Sequence, residues 1–234
     1  MLDRMRRNPS SAHLGLMLAL TFSTGIIDAV GYLGLDRVFT GNMTGNVVIL
    51  GMGLAGDTGL PVLGPLIALA GFMGGAAAGG RALRGAEDAW TARHTVLFAT
   101  VGIVIALAAV PASVVEEPGE LLQYAITLGL GAAMGCQAAV ARHVAVKDVT
   151  TVVVTSTITG LASDSVLGKG GGQPWKRRAG AIVLIGAGAL TGALLLKLHI
   201  GAGMALSAII TLVVAWLGHV SHPSRLARLP YDQV

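Results

Sequence analysis

The chain has 234 residues, of which 53% are hydrophobic, 12% are charged and 34 are glycine, and its formal net charge is +4. A soluble globular chain carries roughly 25% charged residues, and so apolar a chain could not be covered by a polar surface. The composition excludes a cytosolic enzyme, a disulfide-stapled secreted domain and a disordered tail, and it predicts a helical membrane protein with several spans. The single cysteine, Cys136, excludes an internal disulfide.

Eight apolar segments follow one another along the chain. A membrane-spanning helix needs about 20 residues, which most segments reach or approach, but the second segment would rise only about 21 Å as a helix. The sixth is also short and is rich in threonine and serine. The runs are continuous and rich in glycine and alanine, which disfavours the alternating strands of a β-barrel. In chain order the segments are Leu14–Leu35, Met43–Gly56, Leu60–Gly80, Thr95–Val110, Leu121–Ala141, Val152–Leu167, Ala179–Leu196 and Gly201–Leu217.

Basic residues precede the first segment in a pattern that resembles a signal peptide. The apolar run continues well past the usual length of a signal and lacks a convincing small-residue cleavage site. We therefore expect an uncleaved first span, and a cleaved signal is the alternative. The residues concerned are Arg4, Arg6 and Arg7.

The distribution of lysine and arginine indicates which segments cross the membrane, because these residues favour the cytoplasmic side. If all eight segments cross, nine basic residues lie on the side of the N-terminus and seven on the other. If the second and sixth segments return to the side they came from, the division becomes fourteen and two. This predicts six full spans, two re-entrant elements and both termini in the cytoplasm; eight thin spans is the alternative. The five residues that change sides are Arg81, Arg84, Arg93, Arg142 and Lys147.

The order of these elements divides the single membrane domain, residues 1–234, into two similar halves. Residues 10–111 and residues 119–219 each run span, re-entrant element, span, span. Because three spans is an odd number, we expect the second half to be inverted relative to the first. The predicted fold is an all-α membrane protein with a pseudo-symmetric inverted repeat, and duplication of a purely structural module is the alternative.

A short alignment supports this pairing of the halves. Residues 39–46 align without gaps to residues 150–157. Upstream, and with a gap of two residues, Asp28 pairs with Gln137. The threonines that match are Thr40 with Thr151 and Thr44 with Thr155.

The re-entrant elements predict a site near the middle of the membrane. Non-helical backbone is tolerated at that depth only where it is buried in protein or lines a cavity. Two half-helices would point their N-termini at the midplane, and unpaired N–H groups there suit an anion or a polar solute. Capping of the helix ends is the alternative role for these polar groups. The predicted substrate-binding residues are Asp28, Thr40, Gly41, Asn42, Thr44, Gly45, Asn46, Gln137, Thr150, Thr151 and Thr155.

Asp28 is the one acidic residue deep within a predicted full span. Carboxylates inside a membrane are costly and usually face a partner or a cavity. Asp28 could carry a proton, bind a cation or accept hydrogen bonds from the re-entrant backbone. Its counterpart in the second half, Gln137, cannot titrate. This asymmetry between the halves is compatible with proton coupling and equally with a fixed structural bond.

Two stretches resemble the signature of a known family. Residues 25–29 (GIIDA) and residues 38–46 (VFTGNMTGN) are similar to the YoaK-like family of small bacterial membrane proteins, which is catalogued as a domain of unknown function. Gln137 and residues 150–157 resemble that family's second motif, from which Ser156 departs because glycine is expected there. The resemblance extends over nearly the whole chain. It implies a bacterial plasma-membrane location and brings no established substrate.

The prediction from the sequence is a transporter or channel-like protein for a small polar or anionic solute. A membrane scaffold or lipid-binding protein without transport activity is the alternative. We expect no enzymatic activity, cofactor, metal or nucleic-acid partner; membrane lipids are expected partners, and association into a homo-oligomer stays open. A hydrated central cavity lined by Thr40, Asn42, Thr151 and Asp28 would distinguish transport from scaffolding.

Overall fold

The computed structural model describes residues 9–56, 58–86, 90–115, 118–144, 154–166, 168, 170 and 175–221. Across these residues the regular structure consists of eight α-helices without a strand, which confirms the predicted all-α class. In chain order the helices are α1 (Pro9–Gly34), α2 (Met43–Leu54), α3 (Leu63–Ala82), α4 (Ala92–Val114), α5 (Glu120–Val144), α6 (Val154–Ser163), α7 (Trp175–Leu196) and α8 (Ile200–Ser221).

Six of these helices, all except α2 and α6, are long and apolar enough to cross a membrane. They coincide with the six segments that were predicted as full spans. Helix α2 has 12 residues and α6 has 10, so they rise only about 18 Å and 15 Å. That is roughly half of the 30 Å hydrocarbon core of a bilayer. Over its described residues, neither short helix is long enough to cross the membrane alone.

Glycines set the closest contacts between helices and reveal the helix directions. A Cβ on Gly188 would overlap the carbonyl oxygen of Phe22, and one on Gly192 would come within 2.6 Å of the carbonyl oxygen of Ile26. Residue numbers rise together along α1 and α7 in these contacts, so the two helices run parallel. The same pattern makes α3 and α5 parallel. There the contacts join Gly71 to Leu128, Gly75 to Ala132 and Gly79 to Cys136.

Trp90 marks one end of the bundle, here called the Trp90 end. Its indole ring stacks on His13 near the start of α1, with ring centroids 5.7 Å apart, and it packs against Gly218 near the end of α8. Nearby, His94 Nε2 lies 3.1 Å from His143 Nδ1. The starts of α1 and α4 and the ends of α5 and α8 therefore lie together.

The paths of the two short helices follow from these directions. Helix α5 ends at the Trp90 end, and α7 starts there because it runs parallel to α1. Helix α3, parallel to α5, starts at the opposite end, where α1 finishes. Helix α2 therefore lies between the end of α1 and the start of α3, which are both at the end opposite Trp90. Helix α6 lies between the end of α5 and the start of α7, which are both at the Trp90 end.

The two halves of the bundle have nearly the same pattern of helix packing. Helices α1, α2, α3 and α4 of the first half correspond to α5, α6, α7 and α8 of the second. The three largest interfaces join α3 to α5, α1 to α7 and α4 to α8. Among the smaller interfaces, α1–α8 corresponds to α5–α4 and α2–α3 corresponds to α6–α7, and all four are present. The α7–α8 contact is the exception, since α3 and α4 touch less.

The buried apolar core lies where α1, α4, α5 and α8 meet. Ile26, Ile105, Leu130 and Met204 are completely buried there. Helices α3 and α7 pack on the outside of this core through their glycine faces, which allow close approach of the backbones.

Candidate functional site

The segment that leads into α2 is bound to Asp28 of α1. Asp28 Oδ1 accepts the backbone N–H of Gly41 at 2.7 Å, that of Thr40 at 3.0 Å and that of Asn42 at 3.4 Å. N–H groups just before a helix have no intrahelical acceptor, and a carboxylate is a strong acceptor for them. One carboxylate oxygen thus holds the start of α2 against α1.

Asn46 holds the same segment from the other side. Its Oδ1 accepts the N–H of Phe39 at 2.9 Å, and its Nδ2 donates to the carbonyl of Phe39 at 2.6 Å. Asn46 is completely buried. Because both polar atoms of its side-chain amide are engaged by the backbone, Asn46 is a positioning residue.

Asn42 is the N-cap of α2. Its side-chain oxygen accepts the N–H of Gly45 at 3.3 Å. A Cβ on Gly45 would lie 2.7 Å from the ring of Phe39, so glycine is required for the turn to close on that ring. Gly31 of α1 likewise leaves room for the carbonyl oxygen of Val38.

A cavity of about 220 Å³ lies between α1, α7 and the N-terminal ends of α2 and α6. Thr24 is ten residues before the end of α1, which places the cavity about 15 Å from that end and near the middle of the bundle. Asp28 borders the cavity and is 9% exposed as a residue. The lining residues are Thr24, Asp28, Gly41, Asn42, Thr44, Val154, Thr155 and Ile185.

The two short helices leave this cavity toward opposite ends of the bundle. At the C-terminal end of α6, Arg178 Nη1 donates to the carbonyl of Gly160 at 2.7 Å and to Asp164 Oδ2 at 2.8 Å. Arg178 is near the start of α7, at the Trp90 end. At the C-terminal end of α2, a Cβ on Gly53 would lie 3.0 Å from the carbonyl of Pro61, just before α3 at the opposite end.

Gln137 of α5 lies next to the cavity and does not line it. Its Nε2 donates to Thr24 Oγ1 at 3.1 Å, and Thr24 Oγ1 donates to the carbonyl of Leu20 at 2.9 Å. Gln137 is completely buried, and its Oε1 has no hydrogen-bond partner within the described part of the chain. Gln137 therefore contacts the site through Thr24.

The structure divides the predicted site residues into three groups. The first group lines the cavity, the second holds the cavity wall, and the third lies outside the described residues. Thr40 belongs to the second group, because it contributes its backbone N–H and does not line the cavity. The residues that line the cavity are Asp28, Gly41, Asn42, Thr44 and Thr155. Those that hold its wall are Thr40, Gly45, Asn46 and Gln137, and those outside the described residues are Thr150 and Thr151.

Three lining residues were absent from the predicted set: Thr24, Val154 and Ile185. Thr24 was detectable, because it lies four residues before Asp28 and such a spacing puts both side chains on one face of a helix. Val154 and Ile185 carry no polar group, and only the packing of α6 and α7 brings them here. In the described ranges, no group of three or more potential metal-ligating side chains occurs.

The model of the DUF1275 family, described as "Protein of unknown function", matches residues 16–217. The UPF0700 transmembrane protein YoaK of Bacillus subtilis (strain 168) is 29% identical over 151 residues, which are 64% of this chain and 65% of that protein. The match thus spans just under two thirds of that relative's length. No solved structure matches. These findings confirm the predicted family resemblance.

Proposed function

The chain belongs to the DUF1275 family of proteins of unknown function, and we propose that it is a transporter or channel-like protein for a small polar solute. It is a membrane protein with six apolar helices of spanning length. The proposed solute site is the cavity between the N-terminal ends of α2 and α6. One observation carries the proposal: the first residues of α2 and the first described residues of α6 border a single polar cavity near the middle of the bundle.

The architecture supports a solute pathway. We take α2 and α6 as re-entrant half-helices, because each is half the length of a span and joins two spans at one end of the bundle. The exchange symmetry of the helix packing supports an inverted repeat. In proteins built this way, substrate sites lie near the midplane where the discontinuous helices begin or end.

The size of the cavity limits the solute. At about 220 Å³ the cavity is smaller than the roughly 300–1,000 Å³ of pockets that bind drug-sized ligands. A molecule of a few non-hydrogen atoms, or a few waters, would fill it.

The charge of the lining favours an uncharged or cationic solute over an anion. Asp28 already engages the N–H groups that an anion would use at the start of α2. Among the described lining residues none is cationic. An anion about 5 Å from an ionised Asp28 would be repelled by about 3 kcal/mol at an effective dielectric constant of 20.

We infer the orientation from the basic residues of the described ranges. Seven of them lie near the Trp90 end and two near the opposite end, so the positive-inside rule favours a cytoplasmic Trp90 end. Both chain termini would then be cytoplasmic, in the plasma membrane of a bacterium. The residues near the Trp90 end are Arg81, Arg84, Arg93, Arg142, Lys176, Arg177 and Arg178, and those near the opposite end are Arg37 and Lys197.

Uptake into proteoliposomes tests the proposal. Small uncharged, cationic and anionic solutes are compared, first with the wild type and then with Thr44→Val and Thr155→Val. Loss of one hydrogen bond to the solute should slow uptake at subsaturating concentration by about tenfold. Thr100→Val is the matched control, because Thr100 is an exposed residue of α4 that does not line the cavity. The scaffold alternative predicts that no solute enters above the rate of empty liposomes.

A further inference from the structure

We propose that Asp28 binds a small monovalent cation and a proton in turn, so that each cation that enters the central cavity displaces one proton from the carboxyl group. The inference rests on the proposed solute site, and it adds the charge of the solute and the ion to which solute movement is coupled. Asp28 borders that cavity at the start of α2. The site as a whole is neutral with either occupant.

Among the described residues, the backbone engages one oxygen of the Asp28 carboxyl group. Oδ1 accepts the N–H groups of Thr40, Gly41 and Asn42. Oδ2 takes part in none of these bonds. A carboxyl group that is protonated at one oxygen still accepts hydrogen bonds at the other. A proton can therefore bind to Oδ2 and leave it while Oδ1 keeps the start of α2 against α1.

The described neighbours of Asp28 offer no counter-charge to an ionised carboxylate. Of the described residues that line the cavity, Asp28 alone titrates or carries a charge. Helix α5 approaches with Gln137 and Met134, and α8 packs on α1 through Ser207 and Gly203; none of these ionises. A buried charge without a partner is strongly unfavourable, and carboxylates inside a membrane usually face a partner or a cavity. A proton or a cation from the cavity supplies the missing positive charge.

The lining of the cavity suits a monovalent cation. Thr24, Thr44 and Thr155, which each carry a hydroxyl group, border the cavity together with Asp28, and oxygen ligands suit hard cations. One carboxylate balances a single positive charge, so a divalent cation would stay half compensated. The volume of about 220 Å³ leaves room for an ion with several of its waters, because each water occupies about 30 Å³.

The exchange conserves atoms and charge. Before a cation binds, the carboxyl group of Asp28 is protonated and neutral. When the cation binds, the O–H bond of the carboxyl group breaks, the proton passes to water and the carboxylate pairs with the cation. A proton that arrives from the other side of the membrane reverses this step and releases the cation there. One cation thus moves against one proton.

Proton release by the purified protein tests the exchange without transport. The full-length protein, in a mild detergent and a weak buffer with a pH indicator, is titrated with sodium, potassium or guanidinium chloride at a series of starting pH values. N-methylglucamine chloride, whose cation is bulky, controls for ionic strength. At least one of the three small cations should release up to about one proton per protein and N-methylglucamine none. The infrared difference spectrum should show the loss of a protonated carboxyl group.

Variants locate the exchange at Asp28. Asp28→Asn keeps an acceptor for the start of α2 but cannot titrate, so the proton release and the infrared change should both disappear. Glu120→Gln is the matched control, because Glu120 is an exposed acid at the start of α5, and it should behave like the wild type. Thr44→Val leaves Asp28 and its hydrogen bonds in place. It should raise the cation concentration for half-maximal release about tenfold, which keeps the test decisive if Asp28→Asn does not fold.

Proteoliposomes that contain a pH-sensitive dye separate the exchange from the proposed transport. An inward gradient of the active cation should raise the internal pH, whereas N-methylglucamine should not. The exchange would be overturned, and a solute pathway retained, by solute uptake without proton movement. Unchanged release from a folded Asp28→Asn protein, or no release from the wild type with any of the three cations, would also overturn it. Proton release that depends on Asp28, without uptake of any solute, would support the exchange and contradict transport.

Discussion

The carboxylate of Asp28 accepts the backbone N–H of Gly41 at 2.7 Å, across thirteen residues of sequence. This hydrogen bond joins α1, which is long enough to cross a membrane, to the start of α2, which is too short to cross one. The N–H groups of Thr40 and Asn42 reach the same oxygen. Asp28 therefore places the N-terminal end of α2 near the middle of the bundle, and it also borders the cavity that lies there.

Removing the charge of Asp28 should destabilise the protein. Hydrogen bonds to a charged group are worth about 1.5–3 kcal/mol and neutral ones about 0.5–1.5, so Asp28→Asn should lose about 1–2 kcal/mol. Asp28→Ala leaves three N–H groups unpaired and should lose about 3 kcal/mol or more. Thermal unfolding in detergent, followed by size-exclusion chromatography, measures both. Glu120→Gln, an exposed acid at the start of α5, is the control, and a stable Asp28→Ala protein would contradict this role.

Asn46→Ala distinguishes a positioning residue from a solute ligand. Removing its amide leaves the N–H and the carbonyl of Phe39 without partners, which should cost about 3 kcal/mol. The unfolding temperature should therefore fall together with any uptake. An Asn46→Ala protein as stable as the wild type that has lost uptake alone would identify Asn46 as a direct ligand.

Gly74 and Gly75 are neighbours on α3 with opposite surroundings. A Cβ on Gly75 would overlap the carbonyl of Ala132 on α5, whereas one on Gly74 would meet nothing within 4 Å. Gly75→Ala should force the helices apart and destabilise the fold by about 1–3 kcal/mol. Gly74→Ala should be neutral, or more stable by up to about 1 kcal/mol. Equal yields and unfolding temperatures for the two variants would contradict the α3–α5 contact.

Cysteine labelling in intact cells tests the orientation. In a Cys136→Ser background, Arg84→Cys should react with a membrane-impermeant maleimide only after the cells are permeabilised. Glu120→Cys, at the opposite end of the bundle, should react in intact cells. The reverse pattern, with Arg84→Cys but not Glu120→Cys reacting in intact cells, would contradict six spans with a cytoplasmic Trp90 end, and it is the pattern that eight spans predict.

The sequence predicted the helices well because membrane spans depend on local apolarity. The second and sixth segments were too short to span, and α2 and α6 are short helices. Gapless alignment pairs Met43 with Val154, and these residues are the first of α2 and of the described part of α6. A basic-residue count pointed to six spans, and six helices have the required length and apolarity.

The details of the site depended on contacts that no local pattern records. Asn46 and Thr40 belong to a motif rich in threonine, asparagine and glycine. Their roles depend on hydrogen bonds that the motif does not show, from the N–H of Phe39 to Asn46 and from the N–H of Thr40 to Asp28. Gln137 was aligned with Asp28 as its counterpart in the second half, and that alignment could not indicate that its amide donates to Thr24 of α1. Ile185 borders the cavity only because α7 packs against α1 through glycines.

A solute site between α2 and α6 requires that water reaches the cavity there, and cysteine reactivity measures this access. Thr44→Cys and Thr155→Cys are made in a Cys136→Ser background, and a small water-soluble thiol reagent is applied to membrane vesicles opened to both sides. Thr100→Cys, an exposed position on α4, is the lipid-facing control. Both cavity cysteines should react, and the control cysteine should not. Protection of Thr44→Cys and Thr155→Cys under conditions that label Arg84→Cys would contradict a solute site there.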